Sequence, residues 1–264
     1  MGNKIGWCDM TFNPVWGCLN KCEYCYARIF ANRFAERMNI IEIRYKDKNR
    51  KDYNGYFVVT VTEDYQRYIN LKDFKLIFLY SQFNKKFPKK PQKIFVGSMS
   101  EIAYWERRWM EVVLGKILCY PQHTFQFLTK FPEVYLRYDF PKNCWLGITI
   151  TKEDDFYNNV IDFLRFDLKY NNIKFVSFEP LLSKILSYKL LKYFNWVILG
   201  AETGNKKGKV IPKLEWITDI VEYCRNNKIP VYLKDSIIKL YPDLAFEYPN
   251  FHKFPSFYDK KEVR

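Results

Sequence analysis

The sequence predicts an α/β fold built on parallel strands, either a partial barrel or an open sheet. Three observations predict it. Short, nearly continuous apolar runs recur along the chain, as in strands covered on both faces. A stretch able to form a helix follows most of them. The runs number six or seven, too few for a complete eightfold barrel. With 264 residues the chain can build one such domain with ample core. Residues 1–264 therefore read as a single domain with an insertion at 41–93.

The first strand is expected near 5–12, and the cysteine-rich segment after it leads into a helix at 27–38 (ARIFANRFAERM). The rhythm breaks at 41–93, which reads as a strand pair or an irregular insert ending in a basic, proline-punctuated linker, FNKKFPKKPQK. Strands are then expected at 94–99 (IFVGSM), 124–129 (TFQFLT), 144–150 (CWLGITI), 174–178 (KFVSF), 196–200 (WVILG) and 230–233 (PVYL). Helices are expected between them at 106–120, 154–170, 182–194 and 214–227. No apolar run reaches the ~18 residues of a membrane span. The first ten residues, MGNKIGWCDM, show no secretory signal, so a cytoplasmic, soluble protein is expected.

Lys and Arg total 43 against 29 Asp and Glu, a formal charge of +14. Clustered cations suit phosphates, although Lys also follows AT-rich codon usage, as do Asn, Ile, Tyr and Phe. The distribution says more than the total. Residues 41–93 hold 13 basic and 6 acidic residues, a net +7 in one fifth of the chain. Histidine is nearly absent, at His123 and His252 only, which leaves Ser-His-Asp or Cys-His mechanisms poorly supported. No phosphate-binding P-loop or dinucleotide fingerprint occurs. A cofactor carrying the reactive chemistry fits better.

Seven cysteines without a signal peptide do not suggest a disulfide framework. Cys119, Cys144 and Cys224 read as small buried hydrophobes. Cys18, Cys22 and Cys25 differ, because they form a C-x3-C-x2-C run in a loop where Gly17 and Asn20 permit tight turns. Three thiolates alone leave a tetrahedral zinc site incomplete, and Cys8, Cys119 or His123 would have to supply a fourth ligand. They can also hold three irons of a [4Fe–4S] cluster, leaving the fourth iron open to a small chelating ligand.

This run, with Tyr24 before its last cysteine, resembles the signature of the radical SAM superfamily. The resemblance implies a partial (β/α)6 barrel, in agreement with the strand count. It implies that the open iron chelates S-adenosylmethionine, whose reductive cleavage yields a 5′-deoxyadenosyl radical that abstracts a substrate hydrogen. It also implies an electron donor such as flavodoxin or ferredoxin. The chain further resembles an uncharacterised, phage-associated branch of that superfamily. The matching motifs are Trp7-Cys8-Asp9-Met10-Thr11-Phe12-Asn13-Pro14, Gly97–Glu101, Leu128-Thr129-Lys130, Trp145-Leu146-Gly147, Ser177-Phe178-Glu179-Pro180-Leu181 and Gly200-Ala201-Glu202-Thr203-Gly204. CEYCYA is also similar to spore-photoproduct-lyase-like enzymes, which repair DNA lesions.

On this resemblance Cys18, Cys22 and Cys25 are the cluster ligands. Tyr24 would pack near the cluster or adenine, and Tyr26 would offer backbone groups to adenine. Gly97, Ser98 and Ser100 stand where the superfamily has a Gly-Gly-Glu-like motif for the methionine amino group; Ser100 could equally cap the next helix. Thr149 and Thr151 could bind ribose or the methionyl carboxylate, or serve as ordinary strand threonines. Lys130, Glu179 and Glu202 end strands at the face where barrel enzymes place chemistry, and are the candidate catalytic residues. Lys206, Lys207 and Lys209, with Lys213 beyond, sit in a glycine-bounded loop suited to phosphate or simply to solvent. The role of Lys234 and Asp235 is open. The expected function is radical chemistry on a phosphate-bearing substrate, a nucleic acid or nucleotide. A small-molecule or peptide substrate and a non-catalytic, zinc-stabilised nucleic-acid-binding module are the alternatives. Repair is disfavoured because no cysteine is an evident hydrogen donor.

Overall fold

The computed structural model describes residues 5–34, 40–42, 67–69, 74–164, 171–204, 207–249 and 252–255. The chain opens with strand β1 (Met10–Phe12), the short β2 (Val15–Trp16) and helix α1 (Tyr26–Phe34). Strands β3 (Ile40–Glu42) and β4 (Arg67–Ile69) follow, then β5 (Ile77–Phe78) and the one-turn α2 (Tyr80–Phe83). The regular alternation comes next: β6 (Lys93–Val96), α3 (Arg107–Leu118), β7 (Thr124–Thr129), β8 (Cys144–Thr149), α4 (Glu153–Leu164), β9 (Lys174–Phe178), β10 (Trp196–Leu199), α5 (Leu214–Asn226) and β11 (Val231–Leu233). Two short helices, α6 (Asp235–Ile238) and α7 (Leu244–Glu247), complete it.

Seven parallel strands form one sheet in the order β1-β6-β7-β8-β9-β10-β11, curled into a half-barrel. After β1 the spatial order is the chain order, so each strand end at one rim is followed by a loop on that rim. Strand pleating divides the side chains between two faces. Ile94, Val96, Phe125, Phe127, Val176, Val197 and Leu199 point outward and pack with Val113 and Ile117 of α3, Phe156 and Val160 of α4, and Ile217 and Ile220 of α5. The alternate residues Phe95, Trp145, Phe175, Trp196 and Tyr232 point inward and, with Trp7, form an aromatic plug inside the half-barrel. Covering both faces is what makes these strands read as unbroken apolar runs.

Three expectations are corrected. The helix anticipated over 182–194 is only a 3-10 stretch, Tyr188–Tyr193, because residues 181–187 are turn and coil tied to α4 by bonds from Ser187 to Glu153. The first strand is confined to Met10–Phe12, and the residues before it carry Trp7 into the plug. Cys119 is exposed at the end of α3, whereas Cys144 and Cys224 are buried. The insertion supplies the antiparallel pair β3–β4, and β5 pairs antiparallel with β2. Residues 43–66 and 70–73 of the insertion lie outside the described residues. Among the described residues no helix is long and apolar enough to cross a membrane.

Candidate functional site

The cysteine loop is built by backbone constraints on its two flanks. Gly17 donates its N–H to the Met99 carbonyl (3.2 Å), and Cys18 donates to that of Phe74 (3.0 Å). Gly17 has φ +91°, and a Cβ there would lie 2.0 Å from the Lys75 carbonyl oxygen, so both conformation and space demand glycine. Arg28 of α1 reaches back to the carbonyls of Cys18 and Asn20, each at 3.1 Å. Tyr104 holds the Asn20 side chain at 2.7 Å. The loop is thereby fixed between α1 and the segment following β6.

Cys18, Cys22 and Cys25 are free thiols, each half-buried. Sγ of Cys18 accepts the Asn20 N–H (3.3 Å), and Sγ of Cys25 accepts that of Arg28 (3.4 Å). Two buried donors beside them, Trp16 Nε1 and Arg28 Nε, have no partner among the described residues. Burial pushes the Cys18 thiol up to about 11, opposed by the Asn20 N–H. Such a thiol is a poor nucleophile at neutral pH, but a metal displaces its proton outright. Among the described residues no three His, Cys, Asp or Glu side chains converge as ligands of one metal ion. A [4Fe–4S] cluster asks for a different arrangement, one thiolate on each of three irons, with N–H donors around the sulfurs. The donor set and its spare N–H groups fit that group.

The loop meets the C-terminal rim of the sheet. Tyr26 donates to the Ser98 carbonyl (2.6 Å) after β6, and Ser98 Oγ bonds Asn13 Oδ1 (3.0 Å) after β1. Tyr24 reaches further along the rim: Lys130 Nζ, after β7, lies 5.3 Å from its ring centroid, and its hydroxyl meets Lys130 and Thr151. Glu179, after β9, pairs with Lys234, after β11, across Gly200 of the intervening strand end. A Cβ at Gly200 would lie 3.1 Å from Lys234 Cδ and 3.2 Å from Glu179 Cγ, so the glycine makes room for the ion pair. Tyr26 lies within electrostatic reach of Glu179, Cys25 and Cys8.

The structure thus gathers Tyr24, Tyr26, Ser98, Lys130, Thr151 and Glu179 around the cysteine loop. Gly97, at φ +78°, turns the chain there, and Thr149 stands at the end of β8 in register with Ser177. Ser177 is fully buried, and its Oγ has no partner among the described residues. Ser100 Oγ is occupied by the indole of Trp105 (3.0 Å). Glu202 folds back on its own loop, one carboxylate oxygen accepting the Val210 N–H (3.1 Å) and the other buried without a partner among the described residues. Of the three loop lysines, Lys207 and Lys209 are exposed, and Lys209 bonds the Gly204 carbonyl (3.4 Å). Lys206 lies outside the described residues.

Sequence reasoning passed over Glu101. Its buried carboxylate accepts the Lys130 N–H (3.0 Å), the Ala103 N–H (3.2 Å) and the Thr129 hydroxyl. Burial raises its pKa, opposed by those bonds. Its own backbone N–H faces the Cys18 thiol. It therefore joins the cysteine loop to the end of β7. The signal was its place at the end of the Gly97–Glu101 motif.

A family model described as Protein of unknown function (DUF5131) matches residues 2–237, and the chain belongs to that family. No curated protein and no solved structure matches the chain.

Proposed function

We propose that this member of the DUF5131 family is a radical S-adenosylmethionine enzyme acting on a nucleic acid or nucleotide. One observation carries the reading. The three-cysteine loop lies against the C-terminal rim of a curled parallel sheet, with Tyr24 and Tyr26 reaching the ends of β7, β8 and β6. In the finer reading the half-barrel is a partial (β/α)6 barrel.

Cys18, Cys22 and Cys25 would hold a [4Fe–4S] cluster, and the buried Trp16 Nε1 and Arg28 Nε would be N–H donors available to it. When bound, the cluster and S-adenosylmethionine supply a 5′-deoxyadenosyl radical that takes hydrogen from the substrate. Ser98 presents its carbonyl, already held by Tyr26, to an ammonium group. The Ser177 hydroxyl and the second oxygen of Glu202, which have no partner among the described residues, and the nearby Thr149 offer hydrogen bonds to ribose. Lys130, against Tyr24, places a cation at the rim for a carboxylate or phosphate. Glu179 is oriented by its ion pair with Lys234. Lys206, Lys207 and Lys209 supply charge for a phosphate-bearing substrate. The reading includes a cytoplasmic location and reduction by a flavodoxin or ferredoxin.

Anaerobic reconstitution with iron and sulfide tests it. The expected product is a brown protein that converts S-adenosylmethionine to 5′-deoxyadenosine when reduced, with both properties lost in C18A/C22A/C25A. A colourless protein holding a single tightly bound zinc overturns it.

A further inference from the structure

The basic linker at residues 84–91 is a structured feature rather than a loose connection. It leaves α2 and descends the outside of β1 to the start of β6. Phe87 is 8% exposed, with its ring 5.0 Å from Phe12, 4.9 Å from Tyr120 and 5.4 Å from Phe125. Lys116 of α3 donates to the carbonyls of Phe83 and Lys85 (the latter at 2.6 Å), with its ammonium 5.0 Å from the Phe87 ring centroid. His123 Nδ1 accepts the Gln92 N–H (3.1 Å), and the ring also bonds the Pro88 backbone. Pro88 and Pro91 restrict the rest.

On this anchored backbone Lys85, Lys86, Lys89 and Lys90 are all exposed. No acidic residue occurs between Phe74 and Gln92, and none of the four ammonium groups has an acidic partner among the described residues. Unpaired cations held at fixed spacing repel one another, and an anion with the same spacing relieves that repulsion. Lys85 and Lys90 are separated by at most about 17 Å of extended chain. That is the axial length of about five phosphates in one strand of a duplex. The Lys85 end adjoins α2, whose preceding residue Leu79 bonds Pro14 near the C-terminal end of β1, the end that carries the candidate site.

We infer that residues 84–91 bind a nucleic-acid backbone, with Lys85, Lys86, Lys89 and Lys90 on successive phosphates, leading the strand toward the rim of the half-barrel. This rests on the proposal of a phosphate-bearing substrate and narrows it to a polymer, because a mononucleotide has too few phosphates to span the row.

The test uses the full chain and a fluorescein-labelled single-stranded oligonucleotide, with binding followed by anisotropy over a range of salt. K85Q/K86Q/K89Q/K90Q is compared with a control of equal charge change on other exposed lysines, K142Q/K189Q/K192Q/K239Q. The slope of log affinity against log salt should fall by about 3 in the first variant and by less than about 1 in the control. Affinity of the first variant should drop at least about tenfold at fixed salt. Equal losses in both variants, or no loss in the first, overturn the inference. So does lysine-dependent binding to phosphatidylserine vesicles without oligonucleotide binding. Oligonucleotide binding that depends on these lysines in a protein making no 5′-deoxyadenosine supports the inference while removing the radical reading. 5′-Deoxyadenosine formation without such binding does the reverse.

Discussion

At Gly147 the interior leaves no space for a single added carbon. A Cβ there would lie 2.3 Å from the Phe175 ring, which the plug holds on both sides. Gly147→Ala should therefore cost about 1–3 kcal/mol through forced repacking, read as a lowered midpoint in urea. An unchanged midpoint would mean the plug yields. His123 gives a pH-dependent case. Its Nδ1 must be unprotonated to accept the Gln92 N–H, and burial lowers its pKa below the ordinary 6.5. The unfolded chain then takes up a proton at higher pH than the folded one does. The contribution of His123 is thus present above about 6.5 and lost as pH falls through the lower, folded value. The stability difference between wild type and His123→Gln should shrink on acidification, and a difference constant from pH 8 to 5 would contradict this. Neither effect is legible in the sequence. Gly147 reads as one more strand residue until Phe175 is brought beside it. Glu101 reads as the tail of a motif until Thr129 and Lys130 close on its carboxylate.

Among the elements, the parallel strands were legible because burial on both faces leaves little room for polar residues, so even an isolated strand shows as an apolar run. Residues 182–194 misled because Leu, Lys and Tyr favour a helix locally, while Glu153 captures the backbone at Leu186 and Ser187 and holds it in coil. The cysteine run was legible as chemistry, but its placement was not, since Met99 and Phe74, which pin it, are distant in sequence. That pinning makes a prediction about the loop as a unit. Gly17 and Gly204 share φ +91°, yet a Cβ at Gly204 meets none of the described residues within 4 Å, whereas at Gly17 it meets the Lys75 backbone at 2.0 Å. Gly17→Ala should displace the loop and lower iron and acid-labile sulfide per chain after reconstitution by more than half. Gly204→Ala should load like wild type. Equal loading in both would show that the loop conformation does not govern cluster assembly.

For the molecule as a whole, the curled sheet ends at two edge strands, β1 and β11, the latter met by an antiparallel bridge between Tyr232 and His252, and something must bind its interior together. The aromatic plug does this through a residue outside the sheet. Trp7 precedes β1, yet its ring lies 4.6 Å from Phe95, 6.1 Å from Phe175 and 6.2 Å from Trp196, so the first edge strand is tied to the middle and far side of the curl. Trp196 passes the contact on to Tyr232 of the opposite edge at 6.2 Å. Loss of the Trp7 ring therefore removes contacts to three strands at once and leaves a cavity the rigid sheet cannot close. Trp7→Ala should cost about 3–5 kcal/mol. Because the plug belongs to every strand it touches, unfolding followed by far-UV circular dichroism should keep a single transition at a lower midpoint. Phe246→Ala, at a residue 84% exposed, should leave the midpoint within experimental scatter. A Trp7→Ala protein that unfolds in two separate steps would mean that the two edges of the half-barrel are stabilised independently, and that the N-terminal segment is an accessory to the fold rather than the tie across it.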